Sequence, residues 1–333
     1  MQEEQLRSYL AHKMPQAQDL TISNIQRIPG GASRETWSFD ARWREGGRDE
    51  ERAFVVRRDP GASVLETERD VEFGVYRALA GTGVPVPPVY WLETDPRWLE
   101  RPFFVMAHLA GETDPRLLML AAPEVRAELG CQAVQILARI HNLDWRSLGL
   151  DFLGVPPSPS HCADLEIDKW EAILEKDRLE PHPILSMGLR WLRHHKPVSR
   201  KVTLVHADYR TGNFLYDQRS VLGILDWEMV HLGDPMEDVG WFCVRMWRWA
   251  GDEKVGGLLD RDDFYHLYEE HSGIPVDREA AHFWEVLGNI KLAVIFVTGV
   301  RSYCEGRSSD IMLALTSRLK PGIEEEIAAL IGA

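Results

Sequence analysis

The densest run of polar residues between apolar neighbours is Leu204-Val-His-Ala-Asp-Tyr-Arg-Thr-Gly-Asn-Phe-Leu215, and Gly223-Ile-Leu-Asp-Trp-Glu228 follows it. Two carboxylates and an amide stand at the ends of strand-like apolar runs, a placement that suits phosphoryl transfer. Asp208 can accept the proton of an attacking hydroxyl, while the amide oxygen of Asn213 and the carboxylate of Asp226 can hold magnesium against phosphates. Hard oxygen donors fit that cation, and a loose transition state leaves the protein mainly positioning and charge neutralisation to supply. An isolated His-x-Asp is common by chance, and His206 also reads as a hydrogen-bonded core histidine. Asn213 and Asp226 in register favour catalysis. A metallohydrolase built on His206 and Asp208 lacks the further ligand at compact spacing that zinc needs.

The elements that must position these groups read as follows. Val202–Val205, Asn213–Tyr216 and Val221–Leu225 are three short strands inside a helical region. From Pro123 onward Val125, Leu129, Ala133, Leu137 and Ile140 recur at helical spacing, and helices dominate to the C-terminus. The first hundred residues read as strands. Trp37–Trp43, the Gly46-Gly47 turn and Ala53–Val56 predict a hairpin, and Glu66–Leu79 predicts a helix stopped by Gly81. Val84-Pro-Val-Pro-Pro88 leads into strand-like runs at Val89–Leu92 and Phe103–Met106. The expected division is 1–106, a connector at 107–111, and 112–333.

His206-x-Asp208-x-x-x-x-Asn213 with a downstream Ile-Leu-Asp226-Trp resembles the catalytic signature of the aminoglycoside phosphotransferase and choline kinase superfamily. Gly233-Asp-Pro-Met-Glu-Asp238 and Leu137-Ala-Arg-Ile-His141 resemble further family stretches, so the likeness extends over about residues 25 to 245. It implies an α+β, protein-kinase-like fold of two lobes: an N-terminal antiparallel sheet with a helix, and a larger, mainly helical C-terminal lobe. It implies Asp208 as base, His206 as the residue orienting its loop, and Asn213 and Asp226 on magnesium. Asp234 reads as structural, and His141 as packing rather than chemistry. ATP would lie under the loop carrying Gly30, Gly31 and Ser33, although a bare G-G-x-S is also an ordinary turn. No G-K-[ST] follows, so the loop is not a Walker motif. Where protein kinases carry a strand lysine this chain has Arg57. Its implied partner is Glu72, with Glu68 competing one turn earlier. Adenine would meet the carbonyl of Ala107 and the amide of Leu109.

The acceptor is implied to be a small molecule with a hydroxyl. Members of the family act on aminoglycosides, choline, methylthioribose, homoserine or hydroxyacyl thioesters. The Leu-Arg-type strand end, here Val56-Arg57, and Pro60-Gly61 resemble the branch fused to acyl-CoA dehydrogenases more than drug-resistance enzymes. Trp241, Trp247 and Trp249, read as lying on the helix after Asp238, could line an apolar or cation-accepting pocket or belong to the core. A kinase-like binding protein without turnover is the competing reading.

Among 333 residues, 38 Lys and Arg stand against 52 Asp and Glu, a formal charge of −14. An acid excess spread along the chain argues against nucleic acid or an anionic membrane as partner. Cys131, Cys162, Cys243 and Cys304 form no C-x-x-C pair, which fits a reducing cytoplasm. The acidic start predicts no secretory leader. Leu292–Val300, flanked by Lys291 and Arg301, is short of the roughly 18 residues a membrane span needs. His194 and His195, between Arg193 and Lys196, read as a solvated helix end rather than a metal site.

Overall fold

A computed structural model of the chain describes residues 1–28, 35–59, 69–249 and 253–333. Two compact units divide it: residues 1–77 with 87–110, and residues 78–86 with 111–333. The boundary thus falls inside the proline-rich link, between Val86 and Pro87.

In the smaller unit, α1 (Glu3–Lys13) buries Leu6, Tyr9 and Leu10, which recur at i, i+3 and i+4. Strands β1 (Gln18–Ile28), β2 (Glu35–Glu45) and β3 (Arg48–Arg58) precede helix α2 (Arg69–Leu79) and strands β4 (Val89–Glu93) and β5 (Phe103–Ala107). The antiparallel sheet has the order β1-β2-β3-β5-β4. Glu45 pairs with Arg48 across a two-residue turn in which Gly46 and Gly47 have φ +57° and +78°. Only this left-handed pair matches the strand twist, and glycine adopts it without a Cβ penalty. Alternation sorts β3 by face. Phe54 and Val56 join Phe39, Ala41, Trp43 and the α1 side chains in one core, while Val55 and Arg57 take the other face. Phe73 and Tyr76 of α2 pack on Phe104, the register partner of Arg57. The helix expected over Glu66–Leu79 is described from Arg69; residues 60–68 lie outside the described residues.

The larger unit begins with α3 (Pro115–Met119) and α4 (Pro123–His141), followed by α5 (Cys162–Asp177) and α6 (Pro183–His194). Strands β6 (Thr203–Val205), β7 (Phe214–Tyr216), β8 (Val221–Ile224) and β9 (His231–Gly233) form two two-stranded sheets, β6 with β9 and β7 with β8. Then come α7 (Met236–Cys243), α8 (Arg261–Ser272), α9 (Arg278–Cys304), α10 (Ile311–Leu315) and α11 (Lys320–Ile331). The β9 strand, three residues with one aliphatic side chain, carries too little pattern to be read from sequence.

Helix α9 runs through the core of this unit. A Cβ at Gly240 of α7 would stand 2.6 Å from the Glu285 amide and 2.7 Å from the Ala281 carbonyl, so glycine there lets the two helices touch backbone to backbone. Gly288 makes the same allowance on α9, where a Cβ would meet the Trp241 ring at 3.0 Å. The apolar stretch is therefore longer than the nine residues read from sequence. The 27-residue α9 is long and apolar enough to cross a membrane, but 83% of its most apolar window is buried inside the protein, which marks a core helix.

Candidate active site

Strand β6 ends at Val205, and the chain turns through His206-Ala207-Asp208 with φ +64° at Ala207. A residue with a Cβ is unfavourable there, so the surroundings must hold the turn. Asp238 of α7 does so: Oδ2 accepts from the His206 amide at 2.8 Å and Oδ1 from the Ala207 amide at 2.8 Å. His141, at the end of α4, links Asp238 Oδ2 (3.1 Å) to the Tyr268 hydroxyl (2.7 Å). Burial works to raise the pKa of Asp238, but the hydrogen bond and charge of His141, together with His206, outweigh it and hold the carboxyl below its ordinary range. Four residues earlier in the same stretch, Asp234 precedes α7, its Oδ1 accepting the Met236 amide and its Oδ2 the Trp284 indole.

The His206 ring joins two parts of the site. Nδ1 accepts the Asp208 amide at 3.1 Å, and Nε2 donates to the Leu225 carbonyl at 3.0 Å. Burial lowers the pKa of His206 against the opposing pull of Asp238 and Asp208, and the neutral ring protonated at Nε2 is the form that satisfies both bonds. Leu225 in turn donates its amide to the Asn213 carbonyl at 2.9 Å, so Asp226 follows directly beside Asn213. Asp226 itself sits at φ +68°.

The Asp208 carboxylate is held from three sides. Oδ1 accepts Arg210 Nε at 2.9 Å and Trp241 Nε1 at 3.1 Å, and Oδ2 accepts Asn213 Nδ2 at 2.6 Å. Asn213 Nδ2 also reaches the Asp208 carbonyl at 2.9 Å. With its nitrogen so engaged, Asn213 keeps its amide oxygen on the other side of the group, as a hard cation would require. The Arg210 guanidinium lies 4.7 Å over the Trp247 ring, and Gly212 leaves the room that a Cβ would take from it.

In the smaller unit, Arg57 Nη1 and Glu72 Oε1 form a buried ion pair at 2.8 Å. Arg58, on the opposite face of β3, pairs with Glu35 at 2.6 Å and donates to the Leu99 carbonyl at 2.9 Å. Ala107 ends β5 in register with Phe54, and Leu109 follows two residues on. Gly30, Gly31, Ser33 and Glu68 lie outside the described residues.

Three groupings add to or differ from the sequence expectations. The tryptophans do not share a helix. Only Trp241 is on α7, which stops at Cys243; Trp247 lies in a short 3₁₀ turn, and Trp249 beyond it donates to Thr211 Oγ1 at 2.7 Å. His141, read as packing rather than chemistry, is buried against Tyr268 and adds hydrogen bonds to the support of the site. The third is a cluster with no sequence signature, Glu166, His231 and Glu237, whose ligand atoms lie within 4.8 Å of one another. Lys169 pairs with Glu166 at 3.2 Å, His231 with Glu237 at 3.0 Å, and Lys291 stands 3.8 Å from Glu237. Burial disfavours a charge on His231, yet Glu237 and Glu166 prevail and raise its pKa to about 9. The two carboxylates thus already have cationic partners in Lys169, His231 and Lys291. His195, stacked on Trp191, bonds its carbonyl at 2.7 Å.

Residues 24–274 match the phosphotransferase enzyme family. The chain is 27% identical over 292 residues to acyl-CoA dehydrogenase family member 10 of Mus musculus, covering 83% of this chain and 27% of that protein. It is 30% identical over 276 residues to a probable acyl-CoA dehydrogenase of Arabidopsis thaliana, covering 75% of this chain and 33% of that one. It therefore spans only about a quarter to a third of those relatives. Among solved structures it is similar to a candidate aminoglycoside phosphotransferase from Ralstonia eutropha, with a TM-score of 0.74, 24% identity and coverage of 99% and 98% of the two chains. It is also similar to an aminoglycoside phosphotransferase in ternary complex with AMP-PNP and hygromycin B, with a TM-score of 0.62, 15% identity and coverage of 98% and 97%. The fold is the kinase-like α+β fold of two lobes.

Proposed function

The chain belongs to the phosphotransferase enzyme family, and from that premise we propose that it moves the γ-phosphate of ATP to a hydroxyl of a small molecule, with magnesium. The observation that carries this reading is the Asp208 carboxylate, fixed by Arg210, Trp241 and Asn213, beside the backbone bond from Leu225 to Asn213 that places Asp226 next to them. A carboxylate so held can take the proton of an attacking hydroxyl without reorganising.

The residues present fit magnesium: an amide oxygen at Asn213 and a carboxylate at Asp226 are hard donors on adjacent backbone segments. Bound there, the cation would neutralise charge on the transferring phosphate. His206 keeps the segments of Asp208 and Asp226 in step through the Leu225 carbonyl. In the smaller unit Arg57, oriented by Glu72, would hold phosphate oxygens with its planar fork. Ala107 and Leu109 would meet adenine through their backbone groups, and the Gly30-Gly31 loop would cover the phosphates.

The relatives named as acyl-CoA dehydrogenases support an acyl compound bearing a hydroxyl as acceptor over an antibiotic. The test is a panel of hydroxyacyl thioesters, amino alcohols, sugars and aminoglycosides, scored for ADP formed from ATP with and without magnesium. Magnesium-dependent ADP formation stimulated by one class upholds the proposal. ATP binding with no turnover on any member favours the nucleotide-binding protein without catalysis.

A further inference from the structure

We infer that Lys291 is a positioning residue for the Asp208 turn, an inference that rests on the phosphotransferase reading of that site. Lys291 is 2% exposed, on the core helix α9 and 83 residues beyond Asp208. A lysine there costs desolvation, and burial pulls its pKa down against Glu237 and Glu166. Such a group is retained where its ammonium has definite partners: Glu237 stands 3.8 Å away and the Trp170 ring 5.6 Å, and two further partners, Ala207 and Trp241, lead to Asp208.

Lys291 Nζ donates to the carbonyl of Ala207, the residue in the left-handed conformation just before Asp208. Asp238 takes the amide of the same residue from the α7 side. The residue at positive φ is thus held through both of its flanking peptide groups, by an anion on its N–H and a cation on its C=O. The same ammonium lies 4.5 Å over the Trp241 ring, and Trp241 Nε1 donates to Asp208 Oδ1. A cation over one face fixes the indole plane, and with it the direction of that hydrogen bond. The close α7–α9 crossing at Gly240 and Gly288 brings Lys291 within reach of both. Lys291 touches neither reacting atoms nor solvent; it acts through Ala207 and Trp241.

The test compares wild type with Lys291→Met, which keeps an unbranched chain without charge, and Lys291→Gln, which keeps an N–H donor. Release of phosphate from MgATP to water is the acceptor-independent assay, and binding of a fluorescent ATP analogue reports on the nucleotide site. Lys291→Met should lower kcat about tenfold to a hundredfold while leaving the KM for MgATP within about twofold, because the base is displaced and the nucleotide contacts are not. Lys291→Gln should recover part of kcat. In protein labelled with [15N]tryptophan, the Trp241 indole resonance, assigned by Trp241→Phe, should move in Lys291→Met. This signal needs no turnover, so it tests the positioning role even if wild type proves inactive and the phosphotransferase reading fails. A folded Lys291→Met with wild-type kcat and an unmoved indole signal would overturn the inference. So would equal loss in kcat and analogue binding. Should Lys291→Met not fold, Lys291→Gln with lowered kcat at unchanged KM upholds the inference, and wild-type kcat overturns it.

Discussion

Asp208 and Arg57 are held in different ways. Around Asp208 the support is redundant: α7 and α9 each contribute a buried polar side chain to a turn of three residues, His141 of α4 backs Asp238, and three side chains hold the carboxylate itself. Among the described residues, Arg57 pairs with Glu72 of α2. The difference follows from the backbone. The Asp208 turn has Ala207 at positive φ and needs holding, whereas Arg57 sits in regular β3, where the strand sets its direction at no conformational cost. Substitutions should therefore damage fold and chemistry together around Asp208, whereas at Arg57 the loss of nucleotide use should come with the cost of taking the guanidinium away from buried Glu72.

The largest effect should come from Asp238→Ala. It leaves the His206 and Ala207 amides without an acceptor, and a buried network that loses its anion costs about 3–5 kcal/mol. Chemical denaturation checks it, with turnover lost in parallel. A Tm within about 3 °C of wild type would show that the turn holds itself, and the contrast would dissolve.

Arg57→Ala should raise the apparent KM for ATP about tenfold and lower turnover, with Arg57→Lys restoring part of each because charge survives and the planar fork does not. Arg58→Ala should leave the KM unchanged and cost about 1 kcal/mol of stability through its pair with Glu35. Steady-state kinetics and melting of the three variants sort the two faces of β3. If Arg58→Ala raised the KM and Arg57→Ala did not, the register of the nucleotide contact would be wrong by one.

The smallest effect is one of pH. His231 has its pKa raised from 6.5 to about 9 by Glu237 and Glu166 against burial, so its contribution is complete below pH 6.5 and lost as pH rises through 9. His206 is shifted the other way by burial, so its neutral ring becomes a liability as pH falls below 6.5. The melting temperature should therefore decline on both sides of neutrality. His231→Gln should melt lower at pH 6.5 and show a flatter decline toward pH 9. An unchanged alkaline slope in that variant would remove His231 from the account.

How much of this was legible in the sequence follows the same contrast. Asp208, Asn213 and Asp226 lie within a short stretch, and the alternation of β3 fixes which of Arg57 and Arg58 meets α2. The residues that hold Asp208 in place come from positions 141, 238, 241 and 291, which only the tertiary structure brings together. Lys291 read as the flank of an apolar run because Gly288, Asn289 and Lys291 break the hydropathy of a helix that continues to Cys304. Trp247 and Trp249 read as a continuation of the helix of Trp241; Val244, with ψ 130°, ends it first. The polar start hid α1, where three buried side chains suffice to dock the helix.

The central claim, that Asp208 is the base of a phosphotransferase, is tested most directly by Asp208→Asn. The amide keeps the size of the carboxylate and cannot take the acceptor's proton. With the acceptor that stimulates ADP formation most, binding of the ATP analogue should stay within about twofold of wild type while turnover falls by about 10²-fold or more. A variant that kept most of its turnover would contradict the account.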